Sequence, residues 1–374
     1  MKIALVHDDF TQAGGAESLF ATIAALYPNA PIYTSLVNWR KLPASIDRNR
    51  IRPSFMQKIP FAASFFKLLL PLYPLAFESF DFDNYDLVIS STTRFAKSII
   101  TKPKTCHISY LNSTPRFLWE EDKKNVYLPK ILLFLLSPFF RWLKRWDLSS
   151  AQRVDYFLAN SQNVSQKILK IYRRKNKVIY PFADTTFFTP DRIHNWKLKS
   201  KNYYLIVTRL VKWKKIDIAI EAVNDIGANL IIIGDGPDKG RLEGIAVRDQ
   251  RSGTRDQVTF IGKITREELK SCYQNCRALI VTQEEDFGIA TVEAQACGTP
   301  VIAYGKGGTV EIITDKKTGV FFSSQTMSSL KDAISTSSRL KYDKLAIRHN
   351  ALRFTKTNFE KIFKEIVRQY AKSA

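Results

Sequence analysis

Short apolar runs alternate along this chain with stretches whose apolar residues recur every three or four positions. Residues 2–6 read as a buried strand, followed by a glycine-bearing loop and by helical spacing over 16–26 that Pro28 closes. Further strands are predicted at 86–90, 105–111, 155–159 and 177–180, with Ser161 placed to cap a helix between the last two. A second series starts near residue 201, with strands at 203–208, 229–233, 258–261, 278–282 and 301–304 and helices such as 216–224 and 266–274 between them. A helical, basic tail is expected over about 341–372. Short continuous apolar strands separated by helices form parallel sheets covered on both faces, so the fold class is α/β with two doubly wound domains. The domains are expected at 1–190 and 201–355, with a C-terminal helix at 356–374 that can return to the first. The polar, proline-bearing stretch 185–201 is the expected boundary. Such sheets bind ligands beyond the carboxyl ends of their strands, and two in tandem predict a central cleft, so loops after strands are where chemistry is sought.

Four such loops stand out. After the first strand comes His7-Asp8-Asp9-Phe10-Thr11-Gln12-Ala13-Gly14-Gly15-Ala16-Glu17, where Gly14 and Gly15 open a helix whose free amides favour an anion. A plain tight turn explains the same residues. After the first strand of the second half comes Thr208-Arg209-Leu210-Val211-Lys212-Trp213-Lys214-Lys215; Arg209 and Lys214 there suit a diphosphate, and a solvated basic loop is the alternative. Gly234-Asp235-Gly236-Pro237-Asp238-Lys239-Gly240 has the wrong spacing for a dinucleotide fingerprint and reads as a turn beside a nucleotide. The fourth, Glu284-Glu285-Asp286-Phe287-Gly288-Ile289 running on to Cys297-Gly298-Thr299-Pro300, reads as acidic loop, helix from about residue 290, glycine stop and strand. Amides around Phe287, Gly288, Ile289 and Ala290 would point at the cleft and suit a phosphate, and the carboxylates Glu285 and Glu293 flank them. A phosphate cradle with a hydroxyl-grasping acid on each side describes a nucleotide-sugar site. An acidic loop beside a core helix would leave that arrangement unexplained.

Composition changes this picture in one respect. With 45% hydrophobic and 25% charged residues the 374-residue chain is globular, but its net charge of +22 implies an anionic partner. No basic–aromatic recognition motif points to nucleic acid, and none is expected to bind. The excess is +14 for residues 1–200 and +8 for 201–374, so it is larger in the first half. The segments 55–80 and 127–146 mix Phe, Leu and Trp with Lys58, Lys67, Lys130, Arg141, Lys144 and Arg145; a basic apolar helical face of this kind suits an anionic membrane surface, or these helices are simply core and rim. Neither stretch is predicted to span a bilayer, and the start lacks the pattern of a signal peptide. Cys106, Cys272, Cys276 and Cys297 are too few for a disulfide scaffold and fit reduced thiols; no zinc or other metal site is expected.

At the fourth loop the chain resembles the retaining glycosyltransferases of family four. The motifs are Glu285-x7-Glu293 with Phe287-Gly288, then Cys297-Gly298-Thr299-Pro300-Val301-Ile302 and Gly305-x-Gly307-Gly308-x-x-Glu311. Arg209-x4-Lys214, Gly234-Asp235-Gly236-Pro237 and Gly14-Gly15 fall in the family's order. Ser109-Tyr110-Leu111-Asn112-Ser113-Thr114-Pro115 and Glu285-Asp286-Phe287-Gly288-Ile289 resemble bacterial mannosyltransferases that build O-antigen and related polysaccharides. The resemblance implies a GT-B fold of two Rossmann-like domains, a nucleotide-sugar donor (GDP-mannose in this subgroup), a lipid-linked or glycan acceptor, and a cytoplasmic, peripheral-membrane place. It implies hexose transfer with retention, Arg209 and Lys214 meeting the diphosphate, Glu285 the hexose and Glu293 the ribose. Gly14 and Gly15 would let the first domain close over the phosphates. No cofactor or metal is required if cations and a helix terminus hold the diphosphate. Relatives carry His where this chain has Asn112, which donates a hydrogen bond but carries no proton at neutral pH. A binding protein without turnover is therefore a rival reading, as is a phosphorylase or sugar-phosphate synthase of the same fold. His107 would face the opposite side of its strand from Asn112.

Overall fold

The computed structural model describes residues 1–12, 14–66, 68–120, 135–191, 202–248 and 257–373. They form two units: Met1–Pro181 with Thr357–Ala374, and Phe182–Lys356. Most of the expected boundary stretch, residues 192–201, lies outside the described residues, as do Ala13, Lys67, Lys130 and the rest of 121–134.

The first unit is built on a parallel sheet ordered β3-β2-β1-β4-β5-β6-β7. Its strands are β1 (Ile3–His7), β2 (Ile32–Thr34), β3 (Ile51–Pro53), β4 (Leu87–Thr92), β5 (Cys106–Leu111), β6 (Tyr156–Ala159) and β7 (Asn176–Val178). β4 and β5 are buried at every position, the polar Ser90, Ser91, Thr92, His107 and Ser109 included, as expected of strands covered on both faces. The longer helices are α1 (Gly15–Leu26), α2 (Ser137–Ala151) and α3 (Gln162–Tyr172). Ser161 caps α3 by accepting the Val164 amide at 3.0 Å, and Arg173 closes it in the left-handed conformation. Leu36, Phe77, Val88, Phe95, Leu118 and Leu143 bury together on one side of the sheet.

The second unit repeats the architecture with a sheet ordered β10-β9-β8-β11-β12-β13. Its strands are β8 (Tyr203–Val207), β9 (Asn229–Ile233), β10 (Val258–Ile261), β11 (Ala278–Val281), β12 (Val301–Tyr304) and β13 (Gly319–Phe322). The helices are α4 (Ile216–Asp225), α5 (Lys239–Arg248), α6 (Arg266–Asn275), α7 (Ile289–Ala296), α8 (Met327–Arg339) and α9 (Lys344–Ala351). Thr265 and Glu268 form a reciprocal capping box that starts α6. The chain ends in α10 (Lys356–Ser373), whose Phe359 and Phe363 pack on Tyr110 and whose Tyr370 stacks on Tyr156 at 4.0 Å in the first unit.

The fold class is thus two Rossmann-like parallel sheets, as expected. The expected strands are present with ends shifted by up to two residues, and β2, β3 and β13 are additional. One expectation needs correction. The described residues of 55–80 form no continuous helical face: with Pro60, Pro71 and Pro74 among them, they make turns and the short helices Phe55–Lys58, Leu70–Leu72 and Tyr73–Glu78. The tail is helical as expected, with a break at Leu352–Phe354, where Phe354 packs against Phe287 at 5.4 Å, before the C-terminal helix starts at Lys356.

Candidate functional site

In each sheet the strand order reverses at one point: between β1 and β4 in the first unit, and between β8 and β11 in the second. Loops leaving the carboxyl ends of two such strands diverge and leave room for a ligand. In the second unit these are the loop after β8, with Arg209 and Lys214, and the loop after β11, with Glu285. Sequence reasoning selected both loops. What it did not contain is that Lys214 and Glu285, 71 residues apart, meet at 2.6 Å.

Several bonds hold this pair. The Thr282 hydroxyl donates to the Lys214 carbonyl at 2.6 Å, and the Gln325 amide donates to the Thr282 carbonyl at 2.8 Å. Gln283 donates its side-chain amide to the same Glu285 oxygen that takes Lys214. The Lys214 ammonium lies 4.3 Å from the Trp213 ring centroid, a site that favours a cation. Arg209 is exposed, in the same loop.

Glycines bring the loops together. A Cβ on Gly307 would lie 2.4 Å from the Glu285 carbonyl, and one on Gly308 2.4 Å from the Asp286 carbonyl, so the loop after β12 seats directly on the acidic loop. The Gly308 amide donates to the Glu285 carbonyl at 2.8 Å. Gly234 and Gly236 do the same for the cationic loop. A Cβ would meet the Thr208 carbonyl at 1.9 Å and the Leu210 carbonyl at 2.1 Å respectively, and Gly234 has φ +136°. Both glycines were expected beside a donor; their close backbone approach is to the neighbouring loop, which they position. Gly234→Ala should therefore cost about 1–3 kcal/mol from backbone strain alone. Gly240→Ala in α5 is the control, since a methyl group there would meet nothing within 4 Å. Urea unfolding of the two variants checks this, and equal stabilities would contradict the packing role.

Gly288, at φ +108°, turns the chain into α7. The helix starts at Ile289; the Thr291 amide donates to the Gly288 carbonyl at 3.0 Å, and the end of the helix at Ile289 and Ala290 suits an anion. Phe287 contributes backbone alone, because its ring is 3% exposed and packs on Phe354. Glu293, one turn further on, is half-buried and accepts the Tyr273 hydroxyl from α6 at 3.0 Å. Burial pushes its carboxyl up to about 7; the Tyr273 bond and the Arg266 charge pull it down, and Asp184 pushes it up. A carboxyl raised in the folded state from its ordinary 4.5 stabilises fully below that value and loses the contribution as pH rises through about 7. Thermal unfolding between pH 5 and 8 should fall more steeply with pH in the parent than in Glu293→Gln. Equal slopes would mean that Glu293 titrates normally.

In the first unit, Gly14 precedes α1 in an extended conformation open to any residue, and a Cβ there would meet only the movable Glu17 carboxylate at 3.0 Å. Gly15 is the first residue of α1. The fold itself does not demand glycine at position 14. Around this turn lie buried charges: Asp8 accepts the amides of Thr93, Arg94, Phe95 and Ala96, and Asp9 accepts Arg94. Burial would raise the Asp8 carboxyl, but Arg94, His7 and these amides hold it below the ordinary value.

Asn112 follows β5. Its amide nitrogen donates to the Ser91 hydroxyl at 3.0 Å, and its backbone carbonyl accepts Asn160 at 2.7 Å. His107 is no substitute proton carrier. It is fully buried, its Nε2 lies 2.9 Å from the Ser90 hydroxyl, and burial with nearby Arg153 and Lys97 lowers it to about 3.

Two doubly wound parallel sheets in tandem define the GT-B class, and solved structures of that class share the fold. The chain aligns over 100% of both chains with sucrose-phosphate synthase from Thermosynechococcus elongatus at TM-score 0.78 and 17% identity. It aligns over 98% of its length and 99% of the other with Anabaena HepE in complex with UDP and glucose, at TM-score 0.68 and 21% identity. Residues 189–351, within the second unit, match the family model of glycosyl transferases group 1. An uncharacterized glycosyltransferase of Methanocaldococcus jannaschii is 30% identical over 175 residues, 46% of this chain. That match spans 44% of the relative, less than half its length.

Proposed function

We propose that the protein is a retaining glycosyltransferase that moves a hexose from a nucleotide-sugar donor to a lipid-linked or glycan acceptor, with mannose from GDP-mannose the leading donor. The observation that carries the reading is the Lys214–Glu285 pair beside the start of α7, at the second sheet's point of reversal. A departing diphosphate needs positive charge held nearby, and Lys214, Arg209 and the start of α7 would supply it. Glu285 would accept hexose hydroxyls and Glu293 the ribose diol. With such cations in place no metal is required for the diphosphate. The acceptor hydroxyl would attack on the face that the diphosphate leaves, and a donor phosphate oxygen would take its proton. The HepE complex with UDP and glucose makes UDP-hexoses the competing donors.

The first unit supports an acceptor at an anionic bilayer. Phe61, Leu68 and Leu135 are exposed by 78%, 77% and 66%, and α2 presents exposed Trp142 along with Arg141, Lys144 and Arg145. Among the described residues no helix is long and apolar enough to cross a membrane, so the contact proposed is peripheral. Asn112 favours a second reading, a nucleotide-sugar-binding protein without turnover, because its amide is bonded to Ser91 and it cannot carry a proton.

The test is release of nucleoside diphosphate from GDP-mannose, UDP-glucose and UDP-galactose with bacterial lipid extract as acceptor. The anomeric configuration of the product is read by NMR. GDP release with a product of the donor's configuration is expected. Inversion would overturn the mechanism, and donor binding without release would favour the second reading.

A further inference from the structure

Tyr273 sits on α6 with no exposed surface, and sequence spacing marks it as an ordinary core residue. Its surroundings are more specific. The ring packs edge-on against Phe188 at 5.8 Å. Its carbonyl accepts the Thr299 hydroxyl just past the end of α7 and the Cys276 thiol at 3.4 Å. The hydroxyl donates to Oε2 of Glu293 at 3.0 Å. Among the described residues it is the one donor bonded to that carboxylate. The tie therefore runs from α6 to α7 both through the backbone beyond the helix end and through the side chain at its middle.

A carboxylate binds a vicinal diol well only if its acceptor lone pairs are aimed, because each hydroxyl hydrogen bond weakens steeply with angle. A glutamate has three rotatable bonds, and ordering them costs free energy at binding unless the protein has done so beforehand. With Oε2 engaged by Tyr273, Oε1 remains as the acceptor open to a ligand. We propose that Tyr273 is a positioning residue that orients Glu293 for the donor's ribose diol. This inference rests on the transferase reading and assigns one more residue to that site. The groups facing Glu293 are Tyr273 and Arg266 from α6, Asp184 from the segment before β8, and Cys297 at the end of its own helix. Tyr273 and Arg266 favour the ionised carboxylate and Asp184 opposes it. Loss of the phenol therefore leaves Glu293 harder to ionise, and diol binding should need a higher pH.

The experiment uses the full chain with Tyr273→Phe, Glu293→Gln and the double variant, and has two arms. In the first, NMR of labelled glutamate carboxyls follows the titration of Glu293 without ligand. In the second, KM and kcat for the donor are measured from pH 5.5 to 9, with a donor lacking the ribose 2′-hydroxyl alongside. Tyr273→Phe should move the Glu293 titration upward and raise KM for the ribose donor about tenfold below pH 7. It should leave kcat within about twofold and change the deoxy donor less. In the Glu293→Gln background it should have no further effect on KM. An unchanged titration, an equal loss for both donors, or an additive loss in the double variant would overturn the proposal. If the parent binds no nucleotide sugar, the transferase reading fails; the first arm then still reports whether the two side chains are coupled.

Discussion

Lys214→Ala and Glu285→Ala should each lower sugar transfer by about 10²–10³-fold, the loss typical of removing one group that meets developing charge. The pair is 2.6 Å apart, so neither side chain acts alone. In the free protein each neutralises the other. When the diphosphate arrives, its negative charge draws on Lys214, and Glu285 is free to accept hydroxyls from the hexose. Residues that work as one unit give non-additive losses, so the double variant should be little worse than either single one. Circular dichroism should remain that of the folded parent, with some loss of thermal stability because the pair is largely buried, at 10% and 20% exposure. Initial-rate assays with saturating donor check the prediction. Parental rates in both variants would remove these residues from the site.

The largest effect on stability is expected in the first unit, at Lys97. Its ammonium and the carboxylate of Asp147 are ion-paired with no exposure on either side chain. The second Asp147 oxygen accepts the Trp119 indole at 2.8 Å and the Tyr172 hydroxyl at 2.9 Å. One carboxylate thus ties together the turn after β4, the segment after β5, α2 and α3. Lys97→Met would leave that carboxylate buried without its cation, and breaking a buried pair this way costs about 3–5 kcal/mol. Adding Asp147→Asn removes the orphaned charge and keeps an acceptor for Trp119 and Tyr172, so the double variant should regain part of the loss. Urea unfolding followed by tryptophan fluorescence reads this directly. A single variant as stable as the parent would mean that the pair is not dry.

Strands were legible where burial on both faces makes an apolar run, as in Leu230, Ile231, Ile232 and Ile233 of β9. β2 and β3 were not, because each has three residues and Ile51-Arg52-Pro53 looks like a loop. The helical period gives no sign of the break at 352–354, where Phe354 packs on Phe287 and its carbonyl accepts the Ala183 amide at 3.1 Å. At the site, Glu285, Glu293, Arg209 and Lys214 were visible as residue types in loops after strands. The Lys214–Glu285 bond was not, because nothing local links residues 71 positions apart. Gly234 and Gly236 read as a turn beside a nucleotide; that they also seat the neighbouring cationic loop was not legible, because a glycine does not say what approaches it. Tyr273 was hidden in the apolar stripe of α6, where Leu269, Cys272 and Cys276 disguise it. The signal that finds it is a phenol buried where a core would otherwise place phenylalanine.

The central claim is that the second unit holds a nucleotide sugar through Glu293. Thermal unfolding of the parent and of Glu293→Ala against GDP-mannose, UDP-glucose and UDP-galactose measures this. A ligand at 100 times its dissociation constant stabilises by about 2.7 kcal/mol. A rise in Tm with GDP-mannose in the parent, lost in the variant, is the predicted result. An equal rise in both proteins would contradict the role of Glu293, and no rise with any of the three would contradict the donor site itself.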